Sequence, residues 1–124
     1  METILLYIGR ILFGGYFIFG GINHFTKLEM MSGYAKSKGA LSPKLSVVFS
    51  GLLLLIGGVS VLFNIFPVIG FISLILFLVP VTFIMHAPWK VQDPQMKMGE
   101  TVNFMKNIAL IGAVLMLLAY SLMY

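Results

Sequence analysis

The sequence predicts an all-α integral membrane protein, a bundle of four transmembrane helices. Of its 124 residues 60% are hydrophobic and only 10% are charged, which is more apolar material than a small soluble core can bury. A transmembrane helix needs roughly 20 mostly apolar residues to cross a hydrocarbon layer about 30 Å thick. Four stretches have this character, and we treat residues 1–124 as a single transmembrane domain with spans at about residues 4–25, 45–63, 67–85 and 102–124.

The first span could in principle be a signal peptide. However, Glu2 stands where a basic n-region is expected, the apolar stretch is longer than a typical h-region, and no A-x-A-like cleavage site follows. We therefore expect it to be retained as a span. A 3.6-residue period places one stripe of residues on a single face of this helix, which we expect to face the bundle: Arg10, Gly14, Phe17, Gly21 and His24.

The second span is preceded by the interfacial segment 26–44. Leu28, Met31, Tyr34 and Ala35 recur there at helical spacing, which predicts a short interfacial helix that ends at Gly39. Ser42 and Pro43 are expected to be the N-cap and first residue of the span itself. Within the span, Gly51 and Gly58 repeat the seven-residue spacing of Gly14 and Gly21, and such glycines let helix backbones approach closely.

The third and fourth spans begin with similar signals. Pro67 can open the third span after a short turn at Asn64, so spans two and three should form a tight hairpin. Pro80 frees the carbonyl of Leu76 and should bend the third helix. In the interfacial segment 87–101, Asp93-Pro94 can start a helix that continues into the fourth span.

The lysines predict the orientation of the chain. The segments 26–44 and 87–101 lie on one side of the membrane and carry six lysines, whereas the opposite side has no Lys or Arg outside a span. The positive-inside rule places both segments in the cytoplasm and both termini on the outer side. The net charge of +4 is thereby explained by topology and by contact with anionic headgroups, and no nucleic-acid partner is predicted.

Arg10 lies about 10 Å along the helix from Thr3 and therefore inside the apolar layer. An embedded arginine costs roughly 2.5–3.5 kcal/mol to insert, which makes it a candidate functional residue. The chain has four carboxylates, all expected at or outside the interfaces: Glu2, Glu29, Asp93 and Glu100. Arg10 must then bind hydroxyl or carbonyl groups or an anionic or carbonyl-bearing ligand, unless it reaches outward to water or phosphate.

A second polar group of side chains is predicted at the cytoplasmic ends of the spans, where it could line a pocket for a polar headgroup or a quinone ring. Its members are Asn23, His24, His86, Trp89, Asn103, Lys106 and Asn107. The alternative is that these amides and imidazoles only meet water and cap helix ends. His24 and His86 would permit a haem or a metal, but no third ligand is visible, so no metal site is predicted and haem is disfavoured. Cysteine is absent, and no nucleophile-and-base pair stands out.

Several motifs resemble those of the DoxX family of small bacterial membrane proteins, over nearly the whole chain. They are Gly9-Arg10 with Gly14 and Gly21, Asn23-His24-Phe25, residues 30–35, residues 50–58, the Pro-x-x-Phe-x-x-His pattern of residues 80–86, and residues 103–107. The resemblance implies a four-helix protein of the bacterial inner membrane, so that the outer side, on which the lysines place both termini, is the periplasm. It implies no single reaction, because relatives are linked to quinone-coupled oxidation of sulfur compounds, terminal oxidases and oxidative-stress complexes.

Three functions remain open. The first is an accessory or assembly subunit of a membrane complex, such as a respiratory or quinone-linked one, which binds lipid and other subunits or a second copy of itself. The second is a quinone-linked oxidoreductase component, with quinone as the cofactor to consider; whether the chain is an enzyme at all is left open. The third is a small anion transporter or channel that uses Arg10, which the one-sided lysines disfavour because they oppose dual-topology assembly.

Overall fold

A computed structural model describes all of residues 1–124, and nearly all of them are helical. The elements are α1 at Glu2–Thr26, α2 at Leu28–Ser37, α3 at Pro43–Phe63, α4 at Pro67–Ile84, a 3-10 turn at Pro88–Lys90 and α5 at Pro94–Met123. Helices α1, α3, α4 and α5 are each long and apolar enough to cross a membrane. The predicted all-α class with four spans is confirmed.

The helix starts follow the predicted signals with one exception. Pro94 is the first residue of α5, and the Asp93 side chain accepts a hydrogen bond of 3.1 Å from the backbone N–H of Met96, which is the expected N-cap. Helix α3 begins at Pro43 as predicted, but Ser42 does not cap it. Ser42 has a φ of 45°, whereas a capping side chain needs an extended backbone to reach the first N–H groups.

The remaining local predictions concern α2, α4 and α5. Helix α2 forms where the apolar spacing predicted it, and Gly39 follows it with a φ of +84° that favours glycine. Helix α4 continues through Pro80 to Ile84. Helix α5 has 30 residues, a length of about 45 Å, so its first turns extend beyond the hydrocarbon layer. We call the end of the bundle that carries α2 and the 3-10 turn the α2 end.

Helix α1 packs against α3 through glycines, as their shared spacing predicted. A Cβ atom on Gly14 would lie 2.9 Å from the carbonyl oxygen of Gly58, and one on Gly21 would lie 3.1 Å from that of Gly51. Backbone atoms cannot move aside as a flexible side chain can, so only glycine permits this approach. We call these four residues the glycine seam.

The other side of α3 packs against α4 in a similar way. A Cβ atom on Gly57 would lie 3.1 Å from the carbonyl oxygen of Gly70. The buried core lies between the helices and includes Phe17, Leu54, Leu74, Leu78 and Val114. Helix α5 packs on α4, and no Cα atom of α5 lies within 8 Å of a Cα atom of α1. The two outer helices therefore leave the bundle open on one side.

We expect Gly14→Ala to lower the free energy of unfolding by about 1–3 kcal/mol, because the added methyl group meets the α3 backbone. Gly15→Ala is the matched control, since nothing lies within 4 Å of its Cβ position, and it should be neutral or stabilising by up to about 1 kcal/mol. Unfolding in mixed micelles with increasing dodecyl sulfate, followed by circular dichroism, measures both. Equal destabilisation by the two variants would contradict the assigned role of the seam.

Candidate functional site at the α2 end of the bundle

A single carboxylate, Glu100, organises the polar side chains at the α2 end. Its residue is only 7% exposed. Oε2 accepts hydrogen bonds from the Tyr34 hydroxyl at 3.1 Å and from Lys38 Nζ at 2.9 Å. Oε1 accepts from His86 Nδ1 and from Asn103 Nδ2, both at 3.2 Å. We call these five residues the Glu100 cluster.

The cluster joins three elements through side chains. Tyr34 and Lys38 are four residues apart on and just after α2, so they point the same way. His86 lies between α4 and the 3-10 turn, and Asn103 lies one turn after Glu100 on α5. No Cα atom of α2 comes within 8 Å of one in α5, so these polar contacts connect the two helices.

The protonation states follow from the contacts. The hydrogen bond to Glu100 raises the pKa of Lys38, which therefore stays cationic. Burial, and then the Glu100 charge, raise the pKa of Tyr34, so its hydroxyl stays protonated and able to donate. A carboxylate only accepts, so His86 carries a proton on Nδ1, and its Nε2 makes no hydrogen bond within the chain.

This geometry limits the chemistry of Glu100 itself. A carboxylate offers about four acceptor positions, and four donors contact this one. It is therefore not free to act as a general base, and it holds the surrounding elements together instead. Nε2 of His86 makes no hydrogen bond within the chain and can bind something else, in the way that a carboxylate-oriented histidine presents its second nitrogen.

The structure places the site residues predicted from the sequence in several separate locations. His86 and Asn103 belong to the cluster. His24 is buried, donates from Nδ1 to the carbonyl oxygen of Gly20 on its own helix at 2.7 Å, and packs edge-on against the ring of Phe77. The two amides outside the cluster differ in burial, because Asn23 is half-buried on α1 and Asn107 is buried on α5.

The other three candidates lie outside the cluster. Trp89 is exposed and forms an aromatic group with two phenylalanines, with its ring centroid 5.5 Å from that of Phe104 and 6.5 Å from that of Phe83. Lys106 Nζ donates to the hydroxyl of Tyr16 on α1 at 3.3 Å. Arg10 is half-buried on the inner stripe of α1, and it forms no ion pair.

Sequence reasoning missed three members of the cluster. Glu100 was grouped with the carboxylates at or outside the interface, Tyr34 was placed on the periodic face of the interfacial helix, and Lys38 was counted among the six lysines that predict the orientation. A local signal existed, because Tyr34 and Lys38 are one helical turn apart, as are Glu100 and Asn103. The partner of each pair lies more than 60 residues away, and no local spacing reveals that pairing.

Glu100→Ala should destabilise the protein by roughly 3 kcal/mol, because it leaves Lys38 and His86 without their acceptor in a largely buried place. Glu29→Ala is the matched control, since that carboxylate is exposed and pairs with Lys44 at 3.4 Å, so its loss should cost less than about 1 kcal/mol. Thermal unfolding in detergent compares the two. Equal shifts would mean that the cluster does not hold the α2 end together.

The same cluster gives a pH dependence. The folded-state pKa of Lys38 is raised above its ordinary value of 10.5. The contribution of Lys38 to the free energy of unfolding is therefore fully present below pH 10.5 and is lost as the pH rises through the folded-state pKa. The difference in stability between the wild type and Lys38→Met should therefore be constant near neutral pH and shrink only in strong alkali. A difference that vanishes near pH 7 would contradict the assigned pair.

Comparison with known proteins gives one family. The DoxX family profile matches residues 5–87, from the first span to just beyond the end of α4, and this includes His86. No curated protein matches the chain, and no solved structure does. The matched region covers more than half of the chain and contains the glycine seam. The protein therefore belongs to the DoxX family.

Proposed function

We propose that the chain is an accessory or assembly subunit of a membrane complex in the bacterial inner membrane, and that α1 and α5 carry the contacts with its neighbours. The observation that carries this proposal is the open side of the bundle. No Cα atom of α1 lies within 8 Å of one in α5, and most of the apolar side chains on these two helices are exposed. Each also carries a cation inside its span, Arg10 and Lys106.

A cation that faces lipid without a counter-ion is costly and calls for a partner. Within this chain Glu100 is saturated by its four donors. Glu29 is paired with Lys44, and Asp93 caps α5. An accessory role fits this arrangement, because compensation for the two cations then comes from molecules that surround the bundle, and no self-contained catalytic set is required.

A quinone-linked role is the second candidate, and one observation favours it. The Glu100 carboxylate orients His86 so that Nε2 is free, and an imidazole nitrogen of this kind can bind a quinone or quinol oxygen. The aromatic group of Phe83, Trp89 and Phe104 lies at the same end of the bundle. Quinone that co-purifies with the wild type and is lost in His86→Ala would favour this candidate over a purely structural subunit.

The orientation proposed for the chain places residues 26–44 and 87–101 in the cytoplasm. Four lysines at the α2 end make no ion pair within the chain and are available to anionic headgroups: Lys27, Lys36, Lys90 and Lys97. Since the chain has no cysteine, single cysteines can report the side of each loop.

In spheroplasts, a membrane-impermeant maleimide should label Ile65→Cys on the turn between α3 and α4 and should spare Lys36→Cys on α2 until the membrane is lysed. Both positions are exposed, so accessibility within the protein does not bias the comparison. Labelling of Lys36→Cys alone in intact spheroplasts would reverse the proposed orientation.

Assembly is tested by native mass spectrometry of the gently extracted protein. We expect Arg10→Ala and His86→Ala each to reduce the abundance of a complex larger than the single chain by at least about tenfold, because truncating one partner of a buried polar pair costs roughly 2 kcal/mol or more. Lys36→Ala, an exposed change on α2, should leave it intact. A wild type that never runs larger than the single chain, or equal losses from all three variants, would contradict the subunit proposal.

A further inference from the structure

An open groove lies between the two outer helices. Its volume is about 380 Å³, and it is lined by Gly9, Leu12, Phe13 and Tyr16 of α1 and by Lys106 and Leu110 of α5. We call it the α1/α5 groove. Apart from the Lys106 ammonium and the Tyr16 hydroxyl its walls are apolar. Nothing lies within 4 Å of the position that a Gly9 Cβ would take, so the missing side chain leaves free space along α1.

The polar part of the groove offers only hydrogen-bond donors. Lys106 Nζ donates to the Tyr16 hydroxyl oxygen at 3.3 Å and lies 5.9 Å from the centre of its ring. The ammonium keeps two further N–H groups, and the hydroxyl, which accepts from the lysine, still has its own proton to donate. Both side chains are exposed. These N–H and O–H donors together can bind an anionic oxygen.

The chain itself provides no such oxygen here. Lys106 lies four residues, about 6 Å, beyond Val102 along α5 and therefore about one turn inside the predicted apolar layer. A lysine at the centre of a span costs roughly 2.5–3.5 kcal/mol to insert, and a shallower lysine reduces this cost by reaching phosphate. An occupant from outside the chain must therefore combine an anionic head with a hydrocarbon body.

The polar part of the groove decides between a protein helix and a lipid as its occupant. A partner helix would have to bring an ionised carboxylate into the apolar layer, which is costly, whereas a phospholipid carries a phosphate and an acyl chain in one molecule. A flexible acyl chain can also follow the walls of an open groove of about 380 Å³. We propose that the α1/α5 groove binds an anionic phospholipid, with its phosphate on Lys106 and Tyr16 and one acyl chain against Gly9 and Leu12. This site does not depend on the proposed subunit role.

The test reconstitutes the full chain with equal amounts of phosphatidylglycerol and phosphatidylcholine that have identical acyl chains, and then counts the retained lipids by native mass spectrometry. The wild type should retain phosphatidylglycerol in preference. Lys106→Ala should lower the ratio of phosphatidylglycerol to phosphatidylcholine about fivefold, which is the contribution of one lysine near an anionic surface. Lys97→Ala, an exposed lysine on the same helix, should leave the ratio unchanged.

A second pair of variants tests the acyl-chain part of the groove. Gly9→Leu fills it and should reduce the retention of both lipids, while Gly15→Leu, which has equal free space but does not line the groove, should not. Circular dichroism checks that both variants remain helical. An unchanged lipid ratio in Lys106→Ala, an equal fall in Lys97→Ala, or full retention in Gly9→Leu would each overturn the proposal.

Discussion

The close approach of α1 to α3 at the glycine seam is the constraint on which the arrangement of the other helices depends. Lipid tails are as apolar as the side chains they surround, so association inside the bilayer relies on close backbone packing. Gly14 and Gly21 supply that contact to α3 on one side, and Gly57 with Gly70 supplies it to α4 on the other. Helix α5 then packs on α4. The row begins with α1 and ends with α5, which leaves both facing the lipid and the groove between them open.

The Glu100 cluster complements the glycine seam at the α2 end. Helix α2 is too short to span a membrane, and it is held by two kinds of contact. Its own residue Ala35 is buried, and the side chains of Tyr34 and Lys38 contact the Glu100 carboxylate on α5. The Glu100 cluster connects the first interfacial segment to α5, although no Cα atom of α2 lies within 8 Å of one in α5. Packing therefore holds the helices within the lipid layer, and charge-assisted hydrogen bonds hold them at its edge.

The sequence predicts the features that arise from local periodicity. Four of the five residues on the predicted 3.6-residue stripe of α1 are buried, namely Gly14, Phe17, Gly21 and His24, while Arg10 is half-buried, because burial along one helix is a property of one face. The seven-residue spacing of glycines identified the seam for the same reason. The presence of α2 followed from its apolar spacing and the start of α5 from Asp93-Pro94, which are both local signals.

Local patterns could not predict the Glu100 cluster. At the level of spacing, Glu100 resembles Glu29, which is exposed and weakly paired. What distinguishes them is that α2 returns over the end of the bundle and places two donors on Glu100. The direction of Lys106 was missed for a related reason. Asn107 faces the bundle and is buried, but position 106 is rotated from it by about 100° on the helix, and this turns the lysine toward α1.

The distribution of charge leaves the two cations within the spans, Arg10 and Lys106, without an ion pair inside the chain. The one buried carboxylate, Glu100, has all its acceptor positions occupied at the α2 end. Arg10 and Lys106 therefore have no counter-ion within the chain, and each carries an insertion cost of up to roughly 2.5–3.5 kcal/mol. Anionic groups in the surrounding membrane can offset that cost. In the contacts proposed above, lipid phosphates or partner side chains provide those anionic groups.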